Sequence, residues 1–203
     1  MSTKETVDVK SAFADPSALG LFGLAMVTLV ASSQKLGITS GTSMLMPWAL
    51  FLGSAAQIIA GYIDFKKANV FGGTAFFAYG LFWASMAMGW AVSLGIFGET
   101  AQNVVDVHET GVAFVGYLIF TLFMTVGAAK ANKVLFILFV LIDILFLGLS
   151  LSTFGIAHEA THMMAAIAEL LIALVGFYGS AANLLNHQAN RSVLPLGKPL
   201  LAL

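Results

Sequence analysis

The sequence contains no cysteine and very little charge. The first absence excludes disulfide bonds, cysteine-ligated zinc and thiol catalysis. Lys, Arg, Asp and Glu make up only 9% of the 203 residues, against about 25% in soluble globular domains. A chain that is 59% hydrophobic lacks the polar surface of a water-soluble enzyme, and its net charge of −1 offers no basic field to a nucleic acid. These shortages indicate a polytopic membrane protein.

Long apolar runs occupy most of the chain. A helix of about 17–25 predominantly apolar residues spans a bilayer, and six segments answer to that description, the first of them being short. They are residues 19–33, 45–65, 74–94, 112–129, 134–154 and 163–185. We therefore predict an all-α fold with one six-helix membrane domain over residues 1–203. Residues 1–16 form its cytoplasmic N-terminal segment, and residues 186–203 form its cytoplasmic tail.

The positions of the basic residues predict the orientation, because Lys and Arg accumulate on the cytoplasmic side. If the N-terminus is inside, eight of the nine fall on that side: Lys4, Lys10, Lys66, Lys67, Lys130, Lys133, Arg191 and Lys198. Only Lys35 falls outside, where the loops carry Glu99, Asp106, Glu109 and Glu159. This distribution predicts a multi-pass protein of the plasma membrane with both termini in the cytoplasm.

Two carboxyl groups lie inside the predicted spans, whereas no Lys or Arg does. Asp143 and Glu169 each cost about 2.5–3.5 kcal/mol to insert if charged. Each is either a protonated group bonded to a neighbouring helix or a proton site that loads during transport. Without a buried cation, an anion would meet only amides, hydroxyls and helix N-termini, and the available donors are Gln57, Thr28, Thr74, Tyr79 and Asn183. Such a route suits a small, singly charged or protonated solute rather than a nucleotide, sugar phosphate or metal cation.

Small residues repeat along the second and sixth spans. Helices in lipid associate through close packing of such faces. The second span carries Gly53, Ser54, Ala55, Ala56, Ala60 and Gly61. These positions indicate either close helix packing within a bundle or oligomer, or the wall of a pore.

Residues 158–162 read His-Glu-Ala-Thr-His, which fits the H-E-x-x-H signature of zinc proteases. His158 and His162 lie one helical turn apart, with Glu159 as the base of such an enzyme. A catalytic zinc also needs a third protein ligand, for which Glu169 is the candidate. The motif is placed at the outer mouth of the sixth span rather than in a cleft, so we expect no enzyme, no metal and no cofactor. The acidic start of a helix accounts for the same residues.

Several strings resemble the acetate/succinate transporter family, the succinate–acetate permeases. The N-terminal motif of that family is similar to residues 15–21, which include Asp15, Pro16, Leu19 and Gly20. The longest match runs from Gly53 to Trp83, with Gln57, Asp64–Asn69 and Tyr79–Trp83. Residues 121–124 and 194–197 also match. Asp15 and Ala18 replace the family's Asn and Pro.

The resemblance implies a six-span transporter or channel for acetate and related short monocarboxylates, with succinate in some members. It further implies a ring-shaped homohexamer in which each protomer has its own pore. The constriction of that pore corresponds to Leu24, Tyr79 and Ile142, and Leu24 stands where the family usually has an aromatic residue. The solute path would include Gln57, Thr28, Thr74, Asn69 and Asn183.

These observations predict transport of acetate across the lipid bilayer, either by proton symport or by anion flow. An apolar collar excludes hydrated ions, because stripping water from a charge is costly. A channel for small neutral amides such as urea is the first alternative. An intramembrane zinc protease built on His158, Glu159 and His162 is a second, weaker one.

Overall fold

The computed structural model describes residues 13–201. In this part of the chain, six long helices account for the predicted spans: α1 Ser17–Lys35, α2 Leu45–Lys66, α3 Val70–Ser93, α4 Val107–Ala128, α5 Lys133–Thr153 and α6 His158–Ala189. Their lengths and composition are sufficient to cross a membrane. The second helix includes a π-helical stretch, Ala49–Ala56. The basic residues Lys4 and Lys10, which contributed to the predicted orientation, lie outside the described residues.

Polar caps explain why three helices begin before the predicted apolar segments. A side-chain oxygen that accepts a backbone N–H of the first turn stabilises a helix N-terminus. Asn69 accepts from Gly72 at the start of α3, Asp106 accepts from His108 at α4, and Asn132 accepts from Leu135 at α5. The sixth helix extends past both predicted ends, so the His-Glu-Ala-Thr-His motif forms its first turns.

The helices form a closed ring. Each packs against its neighbours in the chain, and α6 returns to pack extensively against α1. Three of the largest buried side chains are Phe146 and Leu138 of α5 and Ile172 of α6. Together with buried side chains of the other four helices, they form one hydrophobic core.

Small residues lie where helix backbones approach one another. A Cβ atom on Gly53 would lie 2.8 Å from Cγ of Trp83, and one on Gly148 would lie 2.8 Å from the carbonyl oxygen of Thr161. Gly176 faces Ala25 across the α1–α6 contact. At these positions the small residues serve helix packing within one protomer.

The C-terminal segment, residues 191–201, folds back onto one end of the ring. The side chain of Asn186 accepts the N–H groups of Val193 and Leu194 at 2.6 and 2.9 Å and donates to the Leu194 carbonyl at 2.8 Å. The N–H of Val134 donates to the Leu196 carbonyl at 3.1 Å. These bonds hold the segment beside the N-terminus of α5.

Replacing Asn186 by alanine is expected to release this segment, since three hydrogen bonds depend on one side chain. Trypsin cleavage after Arg191 should then accelerate about tenfold or more. His187→Ala is the matched control, because its exposed side chain takes no part in these contacts. Equal cleavage rates in both variants would show that Asn186 does not hold the segment.

Candidate solute path

Two cavities enter the ring from opposite ends. The first, here called the His cavity, has a volume of about 520 Å³. Its polar lining includes Gln34, Lys35, His108, His158, His162 and Glu169. The second, here called the tail cavity, has a volume of about 530 Å³ and lies at the end where the C-terminal segment docks. Its polar lining includes Asp15, Gln57, Asp64, Asn69, Lys130 and Asn183.

An aromatic layer formed by Tyr79, Phe82 and Phe146 separates the two cavities. Tyr79 lines the tail cavity and Phe82 lines the His cavity, although they are about one turn apart on α3. The ring of Phe146, which is 1% exposed, stacks on Tyr79 at 6.4 Å and meets Phe82 edge-on at 5.2 Å between centroids. The three rings therefore connect the wall of one cavity with the wall of the other.

The three residues predicted to form the constriction line the same cavity from three different helices. Leu24, Tyr79 and Ile142 are all buried, and all three line the tail cavity next to the aromatic layer. The sequence reasoning missed Phe82 and Phe146. Helical spacing could have indicated them, because Phe82 follows Tyr79 by three positions and Phe146 follows Ile142 by four, which places each pair on one helix face.

The hydroxyl of Tyr79 is held in place by the neighbouring helix. It lies 2.9 Å from Oγ1 of Thr121, and Thr121 donates its own hydrogen to the Tyr117 carbonyl at 2.7 Å. Because Thr121 has one hydrogen to give, Tyr79 is the donor in this contact. The expected role of Tyr79 as a hydrogen-bond donor to solute is therefore corrected: its apolar ring is what it presents to the path.

Three of the five predicted path residues line the tail cavity. Gln57 is fully buried, donates from Nε2 to the Gly53 carbonyl at 2.7 Å, and leaves its Oε1 unpaired. Asn69 lines the same cavity while capping α3, and Asn183 donates to the Gly179 carbonyl at 2.8 Å. The hydroxyl of Thr28 bonds to its own helix instead. Neither Thr28 nor Thr74 lines either cavity.

The N-terminal motif borders the tail cavity through Asp15, Ser17 and Leu21. Asp15 lines the cavity and accepts the N–H of Ser17 at 2.9 Å, which begins α1. Pro16 and Gly20 are buried, and Gly20 lies against the ring of Phe76. Leu19 is 42% exposed and faces away from the path.

Asp64, which belongs to the longest stretch that resembles the family, also lines the tail cavity. It is 2% exposed and forms no ion pair with Lys66 or Lys67. Its Oδ2 atom has no hydrogen-bond partner. The tail cavity therefore contains a buried carboxyl group with one unpaired oxygen.

The two predicted proton sites lie in different surroundings. Asp143 accepts a hydrogen bond from Thr125 at 2.7 Å and lines neither cavity. Glu169 lines the His cavity and lies 2.8 Å from Nζ of Lys35. Lys35, which the sequence placed on the outer side, is the last residue of α1, and its side chain is only 14% exposed because it packs against α6.

The His-Glu-Ala-Thr-His motif lines the His cavity rather than lying outside a cleft. The rings of His158 and His162 stack at 5.8 Å, and Nδ1 of His158 lies 2.9 Å from the Ser152 carbonyl. Glu169, the candidate third zinc ligand, is paired with Lys35. Within residues 13–201, no three His, Asp or Glu side chains are grouped so that they could share a metal ion. The geometry therefore gives the zinc-protease alternative no support.

Asp106 caps the N-terminus of α4, next to Val107 and His108 in the wall of the His cavity. It accepts the backbone N–H of His108 and also contacts the imidazole, both at 2.9 Å. The backbone hydrogen bond, with a smaller contribution from the ring, holds the pKa of Asp106 below its usual range. The cap of α4 consequently remains ionised at neutral pH.

Six membrane-length helices around two cavities and a closed apolar layer define a membrane transport protein for small solutes. The comparison with known proteins agrees with this class. The chain belongs to the GPR1/FUN34/yaaH family, whose sequence profile matches residues 2–198.

Named relatives and a solved structure extend the match over nearly the whole chain. The succinate-acetate/proton symporter SatP of Escherichia coli is 31% identical over 186 residues, covering 91% of this chain and 96% of the symporter. Acetate permease A of Emericella nidulans is 25% identical, covering 91% of this chain and 66% of the permease. The structure of the bacterial acetate channel SatP superposes with a TM-score of 0.83 at 31% identity, covering 91% of this chain and 99% of the channel.

Proposed function

We propose that this protein transports acetate and related short monocarboxylates across the membrane through the two cavities and the aromatic layer. The layer of Tyr79, Phe82 and Phe146 is the observation that carries the proposal, because it places apolar rings between two cavities whose walls also contain polar side chains. The names of the relatives, which include a succinate-acetate symporter and an acetate permease, support acetate as the solute. Succinate is a further candidate by the same comparison.

The apolar layer selects by dehydration. A hydrated inorganic ion must give up water at the rings and receives no replacement ligand, which is costly. Acetate can place its methyl group against Leu24, Tyr79 and Ile142 while its carboxyl end remains near polar groups. The protonated acid crosses more easily still, because it carries no net charge.

Amide groups serve the solute on the tail-cavity side. The Gln57 side chain is buried in the cavity wall, and Asn69 and Asn183 share that wall. Gln57 and Asn183 each use one amide hydrogen on a carbonyl of their own helix and have a second one for a carboxylate, while the unpaired Oε1 of Gln57 can accept from a protonated acid. Thr28 and Thr74 have no part in this path and contribute to the helices.

The assembly we propose is a homohexamer with one pore in each protomer and both termini in the cytoplasm. The uneven distribution of basic residues supports the orientation, and the family resemblance supports the hexamer. Under this orientation the tail cavity opens to the cytoplasm and the His cavity opens to the outside of the plasma membrane. Native mass spectrometry of the detergent-solubilised protein tests the subunit number, and a state other than six would overturn it.

Uptake of labelled acetate into proteoliposomes tests the function. Accumulation driven by an imposed pH gradient and abolished by a protonophore indicates symport, whereas simple equilibration indicates a channel. Labelled urea is measured in parallel, and protein-free liposomes provide the background for both solutes. Uptake of urea without acetate would favour the amide-channel alternative and overturn the proposal.

A proton site is expected to show itself in the pH dependence of uptake. Glu169→Gln should flatten the rise of acetate uptake at low pH, because this side chain borders a cavity and cannot take up a proton as glutamine. Asp143→Asn should retain the rise, since Asp143 lines neither cavity. The reverse result would assign the proton site to Asp143.

A further inference from the structure

The Lys35–Glu169 ion pair lies in the wall of the His cavity and joins the end of α1 to α6. Its N–O distance is 2.8 Å, and the two side chains are 14% and 2% exposed. The ammonium group has three hydrogens, and the structure records one side-chain bond for it, the bond to Glu169. The amine therefore retains donor capacity beside the cavity.

The surroundings of the pair are suited to an anion. Lys35 is the sole Lys or Arg among the residues that line the His cavity, and Glu169 is the sole acid among them. The other titratable groups that face the cavity are His158 and His162 from α6 and His108 from α4; the linings from α3 and α5 contain none. A solute carboxylate that enters this cavity finds one ammonium group, and Glu169 already occupies it.

Exchange of partners on Lys35 requires a proton. If a solute carboxylate displaced Glu169, the buried Glu169 would remain as an unpaired charge, which is strongly unfavourable. Protonation of Glu169 removes that cost and leaves Lys35 free for the solute. Binding of the carboxylate and binding of the proton thus favour each other, and this coupling is reciprocal.

We propose that the His cavity contains a carboxylate-binding site in which the solute replaces Glu169 on the Lys35 ammonium while Glu169 takes up one proton. One O–H bond forms on Glu169, no other covalent bond changes, and one anion enters with one proton. This inference rests on the proposed function, since it takes acetate as the solute. It adds a binding residue, Lys35, and a structural reason for proton coupling.

Infrared difference spectroscopy of the reconstituted protein tests the proton step directly. Adding 13C-labelled acetate should produce the C=O band of a protonated carboxylic acid, and the isotope separates the bands of acetate from those of the protein. The band should be absent in Glu169→Gln and retained in Asp143→Asn, the matched control. A band that persists in Glu169→Gln, or no band in a wild-type protein that transports acetate, would overturn the exchange.

Transport kinetics test whether Lys35 binds the solute carboxylate. Lys35→Gln should raise the KM for acetate about ten- to hundredfold, because a charge-assisted contact is lost, and Lys35→Arg should restore most of the affinity. Lys35→Gln alone leaves Glu169 as an unpaired buried charge, which can destabilise the fold. The double variant Lys35→Gln/Glu169→Gln removes both charges and therefore avoids that cost. The double variant should fold, keep the raised KM for acetate, and lose the rise of acetate uptake at low pH.

The outcomes separate the two proposals. If the wild-type protein takes up no acetate, the proposed function fails and this inference fails with it. If the wild type takes up acetate while the single and double variants keep its KM and pH profile, the function stands and the Lys35 site is wrong. His158→Ala, His162→Ala and His108→Ala are measured alongside, and a pH profile that follows the histidines instead of Glu169 would also overturn the inference.

Discussion

Replacing Tyr79 by alanine is expected to raise the uptake of longer monocarboxylates, relative to acetate, by on the order of tenfold or more. The Tyr79 ring is 4% exposed and stacks on Phe146 in the layer between the cavities. Removing the ring opens space that a longer acyl chain needs in order to pass. Competition between labelled acetate and labelled butyrate in the same proteoliposomes gives the ratio directly, so the amount of folded protein cancels.

Two companion variants define what the Tyr79 ring does. Tyr79→Phe keeps the ring and removes the hydroxyl that donates to Thr121, so it should retain the wild-type ratio. Ile142→Ala opens the same cavity wall by a smaller volume and should give an intermediate ratio. Should all three variants discriminate as the wild type does, the constriction lies elsewhere on the path.

Replacing Gly53 by leucine is expected to prevent stable folding. A Cβ atom alone would lie 2.8 Å from Cγ and 2.9 Å from Cβ of Trp83, and 3.1 Å from Cγ2 of Val27. Val27 is fully buried and Trp83 is 4% exposed, so neither can move away without disturbing the core. Overpacking of this kind costs about 1–3 kcal/mol or more, and thermal unfolding in detergent should show a large fall in Tm or no folded protein.

Gly116→Leu is the matched control for Gly53→Leu. Gly116 also lies within a membrane span, but a Cβ atom there would meet nothing within 4 Å. Leucine has a better helix propensity than glycine by about 1 kcal/mol, so this variant should keep or raise Tm. A comparable loss of Tm in both variants would show that the contact with Trp83 is not what makes Gly53 necessary.

Local properties of the chain were sufficient to predict the spans. Mean hydropathy over a helix length and the scarcity of charge indicated six membrane helices, and all six are present within residues 13–201. The helix N-termini differ from the predicted ones, because a cap such as Asn69 or Asp106 depends on a hydrogen bond between one side chain and one backbone N–H. Hydropathy averaged over a helix length does not detect a single hydrogen bond of that kind.

The carboxyl groups show where reasoning from local sequence stops. Asp143 and Glu169 had the same two interpretations in the sequence, since each is an acid within an apolar span. In the fold, Asp143 accepts from Thr125 and Glu169 pairs with Lys35, which is 134 positions away in the chain. No spacing rule connects residues 35 and 169, because their contact exists only after α1 and α6 have packed.

Class, helix count and the residues of the N-terminal and 53–83 motifs were therefore readable from the chain, because hydropathy and short motifs are local properties. The aromatic layer, the two cavities and the partner of each buried carboxyl were established by packing. A lipid-embedded helix exposes an apolar face to lipid and another to its neighbours, so hydropathy alone does not tell which side chains face the path. Charge is scarce throughout this protein, and the closing of the ring placed one of its few cations beside a buried acid.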